Sequence, residues 1–241
     1  MDFDPGILAE AMVLLRRALG DHGLQIEFIS DIHEYKKRVE QARAEEVDPQ
    51  FSPDLFDFHS GIFVGLLLLD SNKKIVGGQS LRLESLGSSN LKKIIFNQQS
   101  RLYGRGPQGG ELTSSFSSGT EVLSGQIVYH GGFWVAKSYQ RRSKSGFNTG
   151  AVFIKYAHLV SLAKWNPDYI YGYMKPEMVY NGLAAQYWIP HVLPCLFQWD
   201  KVPDQHHCSE WEFLCYITRV NLVEQASFIN DGRFLDHQSS S

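Results

Sequence analysis

The sequence predicts an α/β chain, and three observations carry that reading. Segments whose apolar residues recur at helical spacing alternate with segments of strand period. An apolar strand, 62–69, and an alternating partner, 75–84, are joined by Asp70-Ser71-Asn72-Lys73, a turn sequence. A later strand, 125–136, runs into a loop rich in Gly, Ser and basic residues and then into a helical run over 151–163. The 241 residues are 43% hydrophobic and 13% aromatic, enough for the core of one large domain or two small ones. The expectation is a single domain over 1–241, with no internal repeat and no long linker.

The elements follow in order. Ile7, Leu8, Ala11, Leu14, Leu15 and Ala18 share one helical face, and Gly20 is a natural stop, so 5–20 contains the first helix. Residues 24–29 alternate Leu, Ile and Phe against Gln and Glu, a strand pattern. Ser30 or Asp31 caps a charged helix over 32–46, with Glu34 in its first turn. Pro49 and Pro53 make 47–60 a loop, either an ordinary packed connector or an acidic, aromatic flap over a site. The arm 62–69 is apolar throughout and reads as buried on both faces. In its partner, Ser80, Arg82 and Glu84 share one face and Leu81 and Leu83 the other. Arg82 and Glu84 then either line a cleft or pair at the surface.

Residues 91–103 read as a helix. The segment 104–124 reads as a flexible, exposed insert rich in Gly, Ser and Thr. Its Gly-rich start lacks the Lys-Ser/Thr ending of a phosphate-binding P-loop. An aromatic strand is expected over 169–173, a helix from about 176 through Trp188, an extended segment over 192–199, a last strand over 211–222, and a tail from Phe228.

Charge and cysteine use narrow the function classes. A net charge of -3 and a pI near 6.3 provide no global basic field for nucleic acid. Three cysteines do not build a disulfide framework and suit a reducing compartment. The longest apolar run, 62–69, is too short to span a bilayer, and the start Met1-Asp2-Phe3-Asp4 is unlike a signal peptide. A cytoplasmic protein with neither membrane nor nucleic-acid partner is expected. No metal is expected, because His206-His207-Cys208 has no second pair at zinc spacing. Cys195 reads as a small buried hydrophobe.

The chemistry concentrates where the strand 125–136 meets the helix. Free N–H groups and the dipole at a helix N-terminus favour an anion, and Arg141, Arg142 and Lys144 precede that terminus. The loop is read as holding the pyrophosphate or phosphopantetheine arm of an acyl carrier. The same charges also suit a solvated loop or an acidic carrier protein.

Gln140-Arg141-Arg142-Ser143-Lys144-Ser145 stands, after Val135 and Tyr139, where the pattern Gln/Arg-x-x-Gly-x-Gly/Ala stands in the GCN5-related N-acetyltransferase superfamily. From residue 24 to 222 the order of elements resembles that superfamily. The resemblance implies a mixed, twisted sheet with helices on both faces and acyl-CoA as donor. Both glycines of the pattern are serine here, and Gly146 and Gly150 follow as compensating small residues. Residues 181–188 look like the family's late helix, which commonly ends in a tyrosine acid. Trp188 takes that tyrosine's place, so Tyr187 or Tyr180 would donate to the leaving thiolate. The front half is similar to acyl-homoserine-lactone and N-acyl amino acid synthases. Asp54, Asp57 and Arg82 fall at matching places, while the Glu-x-Ser-Arg-Phe signature of the lactone enzymes is absent.

The resemblance therefore implies transfer of an acyl group from acyl-CoA to a small-molecule amine or amino acid. The alternatives are a synthase served by acyl carrier protein and a degenerate member that binds without turnover. Val135 or Ala136 would give its N–H to the thioester carbonyl. Glu84, Glu111, Glu121 and His130 are the candidate bases, with His130 in a suitable titration range. Gly146 completes the expected donor site with Gln140, Arg141, Arg142, Ser143, Lys144 and Ser145. An oligomer is compatible with all of these readings.

Overall fold

The computed structural model describes residues 4–94, 111–112, 123–140, 147–201 and 211–232. Two compact units emerge. The first comprises Met1–Arg82, His130–Asn166 and Thr218–Ser241, and the second Leu83–Tyr129 and Pro167–Ile217.

The first unit begins with α1 (Pro5–Gly20), capped by the Asp4 carboxylate on the amide of Gly6. Strand β1 (Gln25–Ile29) follows, then α2 (Ile32–Arg43), whose N-cap is Asp31, bonded to the amides of His33 and Glu34. Helix α2 stops earlier than the sequence suggests because Ala44 turns left-handed, at φ 56. A single 3-10 turn at Pro49–Phe51 interrupts the loop that follows. The hairpin is β2 (Phe63–Leu69) and β3 (Ile75–Asn90), with every residue of β2 buried as its composition implied. Strand β3 enters the second unit at Leu83 and runs on past Glu84, the end expected from the sequence, to Asn90. Within the first unit the strands stand in the order β1-β2-β3-β5, where β5 is Ser124–Val135.

That sheet has helices on both faces. Phe28, Leu66 and Gln79 lie side by side across β1, β2 and β3, and so share a face. They meet α4 (Thr149–Trp165): the Phe28 and Tyr156 rings pack edge to face, and the Gln79 amide donates to the carbonyl of Phe153. The opposite face carries Ile29, Gly65 and Ser80 in register. There α2 lays Tyr35 so close that a Cβ on Gly65 would stand 2.2 Å from its ring. Helix α1 packs on α4 and on α7 (Arg219–Asn230). The sequence reading missed α7, giving its first residues to the last strand and Phe228 to a tail. Thr218 and Asn221 cap it reciprocally, a box that ends the strand and starts the helix.

The second unit orders its strands β5-β6-β8-β7-β4. Strand β5 (Ser124–Val135) enters it at one end, and Ile127, Val128 and Tyr129 pair in parallel with Tyr169, Ile170 and Tyr171 of β6 (Tyr169–Met174). Strands β7 (His191–Lys201) and β8 (Trp211–Thr218) pair antiparallel. Glu111–Leu112 forms the short strand β4 on the edge of β7 rather than part of an exposed insert. The rest of the insert, and most of the helix expected over 91–103, lie outside the described residues; 91–94 are helical. The expected helix to Trp188 is two short ones, α5 (Pro176–Tyr180) and α6 (Leu183–Gln186). Gly182 parts them at φ +75, a conformation that costs glycine little.

Candidate active site

The strand-to-helix turn is tied together by short hydrogen bonds within the first unit. After Val135 the chain makes the brief helix α3 (Lys137–Gln140). The amide of Ala136, expected to face a thioester carbonyl, donates instead to Val76 O at 2.7 Å. That donor is already engaged, and the Val135 carbonyl is held by the Gln140 side chain at 2.5 Å. Tyr139 gives its hydroxyl to Asp70 in the hairpin turn, 3.2 Å away. Arg141, Arg142, Ser143, Lys144, Ser145 and Gly146 lie outside the described residues.

Helix α4 starts two residues earlier than the sequence suggests. Its N-cap is Asn148, whose side chain accepts from Ala151 N at 3.0 Å and whose carbonyl accepts from Val152 N at 3.1 Å. The first-turn amides of Thr149 and Gly150 are left without intrahelical partners by helix geometry. Phe147, just before the cap, is buried and stacks on His22 with ring centres 3.7 Å apart.

His130 and Gln79 form the most definite polar contact of this region. The two side chains meet at 3.0 Å, and the His130 ring stands perpendicular to that of His158, 5.4 Å away. Burial pushes the His130 imidazole down to about 4, so it is neutral at pH 7. Burial likewise holds His158 well below the usual histidine range and Lys155 at about 7. Lys155, His158 and Ser161, spaced by three along α4, are all buried. The sequence reading passed over that stripe, although polar residues recurring every third position in an apolar helix were its legible signal.

The remaining candidates fall elsewhere. Glu84, in the second unit, accepts the hydroxyl of Tyr171 at 3.3 Å, among the close rings of Tyr129 and Tyr173. Tyr187 is 6% exposed, and burial pushes its hydroxyl up to about 12. Tyr180 is 71% exposed and packs its ring edge against Phe213. Arg82 neither lines a cleft nor sits at the surface. It is buried, donates to Gln50 O at 2.7 Å and Gln50 Oε1 at 3.0 Å, and lies 3.9 Å over the Phe56 ring. It anchors the 47–60 loop, while Asp54 and Asp57 on that loop are exposed. Glu121 and the His206-His207-Cys208 run lie outside the described residues, as does the Glu111 side chain. Among the described residues no group of three or more His, Cys, Asp or Glu could hold a metal. No helix among them is long and apolar enough to cross a membrane.

No protein-family model matches the chain, and no curated protein matches it. Among solved structures it is similar to FeeM, an N-acyl amino acid synthase from uncultured soil microbes. That match has a TM-score of 0.45 and 8% identity and covers 86% of this chain and 96% of that one. It is also similar to spermidine N-acetyltransferase from Vibrio cholerae in complex with CoA and spermine. There the TM-score is 0.41 and the identity 11%, over 84% of this chain and 99% of that one.

Proposed function

We propose that the protein is an N-acyltransferase that moves an acyl group from a thioester on a phosphopantetheine arm, as in acyl-CoA, to a small-molecule amine. One observation carries the reading. Strand β5 ends at Val135 and helix α4 begins at Thr149, with Lys137, Arg141, Arg142 and Lys144 in the sequence between. A helix N-terminus one loop beyond a strand end is suited to phosphate, and Arg141, Arg142 and Lys144 add charge to it. The amides of Thr149 and Gly150 are the ones available there, since Asn148 already serves Ala151 and Val152. Gln140 steadies the strand end through the Val135 carbonyl, and Ser143, Ser145 and Gly146 are part of the donor site in this reading by their place in the sequence.

The reaction needs no redox partner. The amine nitrogen attacks the thioester carbonyl carbon, the C–N bond forms and the C–S bond breaks. The nitrogen loses one proton and the leaving sulfur gains one. His130 is the proton acceptor in this reading, because its imidazole is neutral at pH 7 and keeps a basic nitrogen. Glu84, another candidate base, lies in the second unit. Tyr187 lies in the second unit, where burial keeps its hydroxyl protonated at neutral pH.

Calorimetric titration of the full chain with acetyl-CoA, a long-chain acyl-CoA and an acyl carrier protein tests the proposal. Arg141→Ala with Arg142→Ala is expected to weaken carrier binding at least about ten-fold and to flatten its salt dependence. Binding of the carrier protein alone would move the donor to that class. No binding by any of the three, or affinity unchanged in the double variant, would remove the loop from the site.

A further inference from the structure

The carbonyl of Phe153 can only accept a hydrogen bond, so the Gln79 atom 2.7 Å from it is the amide nitrogen, Nε2. That fixes which way the Gln79 amide points. Its Oε1 then faces His130 Nε2 at 3.0 Å. A side-chain carbonyl oxygen has no proton to give, so His130 Nε2 must carry one and donate it. In a neutral imidazole the other nitrogen then holds the lone pair.

We infer that Gln79 is a positioning residue: anchored on α4 through Phe153 O, it locks His130 as the Nε2–H tautomer and leaves Nδ1 as the nitrogen that can accept a proton. The inference rests on the reading above only for the use made of that lone pair. The geometry is well suited to a lock. Gln79 is fully buried, with 0% of its surface exposed, so water does not compete for either end of its amide. Its β3 backbone lies between β2 and β5, which leaves the side chain little room to swing away. The His158 ring, edge-on to His130, restricts rotation of the imidazole. A base held in the wrong tautomer loses most of its value, because the lone pair then points away from the proton it must take.

The test is the ring-nitrogen NMR spectrum of the histidine-labelled full chain at pH 7.5. In the unaltered protein His130 should show a protonated Nε2 and an unprotonated Nδ1 as distinct signals. Gln79→Met, which keeps the bulk and removes the acceptor, should merge these toward an averaged mixture, with kcat falling at least about ten-fold at unchanged KM. A protonated Nδ1 or an averaged spectrum in the unaltered protein would overturn the inference. So would an unaltered spectrum in Gln79→Met. If that variant does not fold, the spectrum of the unaltered protein alone decides. Full turnover by His130→Ala would sink the choice of base while leaving the tautomer result standing.

Discussion

Helices α2 and α4 cover opposite faces of the same sheet and are built on different principles. Helix α2 buries only Ile32, Tyr35 and Val39 and turns its charged residues to water. Helix α4 is buried at every position from Thr149 to Leu162, including Lys155, His158 and Ser161. The first is seated by shape: Tyr35 fills the space a Gly65 side chain would occupy and packs edge to face on Phe63. The second is seated partly by polar contacts, of which Gln79 to Phe153 O is the clearest. A helix seated by shape tolerates changes on its outer face and no bulk beneath it. One enclosed with polar groups depends on keeping those groups paired or neutral.

The largest effect should come from filling the α2 seat. Gly65→Ala puts a methyl against the Tyr35 ring, and the sheet backbone cannot yield. About 3 kcal/mol of stability should be lost, the upper end for overpacking, read as a lower midpoint in urea. A loss below about 1 kcal/mol would show that α2 can slide on the sheet.

Next is the buried ammonium of α4. Burial lowers Lys155 to about 7 from its ordinary 10.5. As pH rises from about 7 to 10.5 the unfolded chain holds the proton that the folded chain has released, so stability rises with pH across that window. Below about 7 both states are charged and the penalty is fully present. Lys155→Met should therefore stabilise by roughly 2 kcal/mol at pH 6, with the gain fading above pH 10. Equal stability of the two proteins at both pH values would overturn the burial penalty at Lys155.

The smallest effect should be at the part-exposed ion pair that ties α2 to β1. Arg38 forks onto Glu27 of β1 at 2.6 and 2.8 Å, and that pair holds the Glu27 carboxyl below the usual carboxylate range. Both partners are part-exposed, so Arg38→Ala should cost under about 1 kcal/mol, and less in high salt. A larger, salt-insensitive loss would blur the contrast between the helices.

The same contrast explains what could be read in advance. Helix α2 was legible because burial on one face imposes a period and Asp31 marks its start. Helix α4 was legible as a helix, but a helix buried all round shows no period that tells which neighbour each face meets. The α7 helix was missed because its apolar residues follow strand β8 without a break, and only the Thr218–Asn221 box marks the change. Arg82 shares a strand face with Glu84, but Gln50 and Phe56, more than twenty residues away in sequence, decided that its charge would be buried.

By itself the sequence determined the alternation of elements, the fully buried β2, and the run of basic residues between β5 and α4. Each rests on local physics: periodicity, turn chemistry and charge within a few residues. The tertiary structure decided which donors remain free and which nitrogen of His130 bears the proton. The Ala136 amide is taken by Val76 and the Gln79 amide is aimed by Phe153, partners brought close only when the sheet and α4 pack. Hydrogen-bond partnership is a property of atoms about 3 Å apart in space, and no spacing along the chain encodes it.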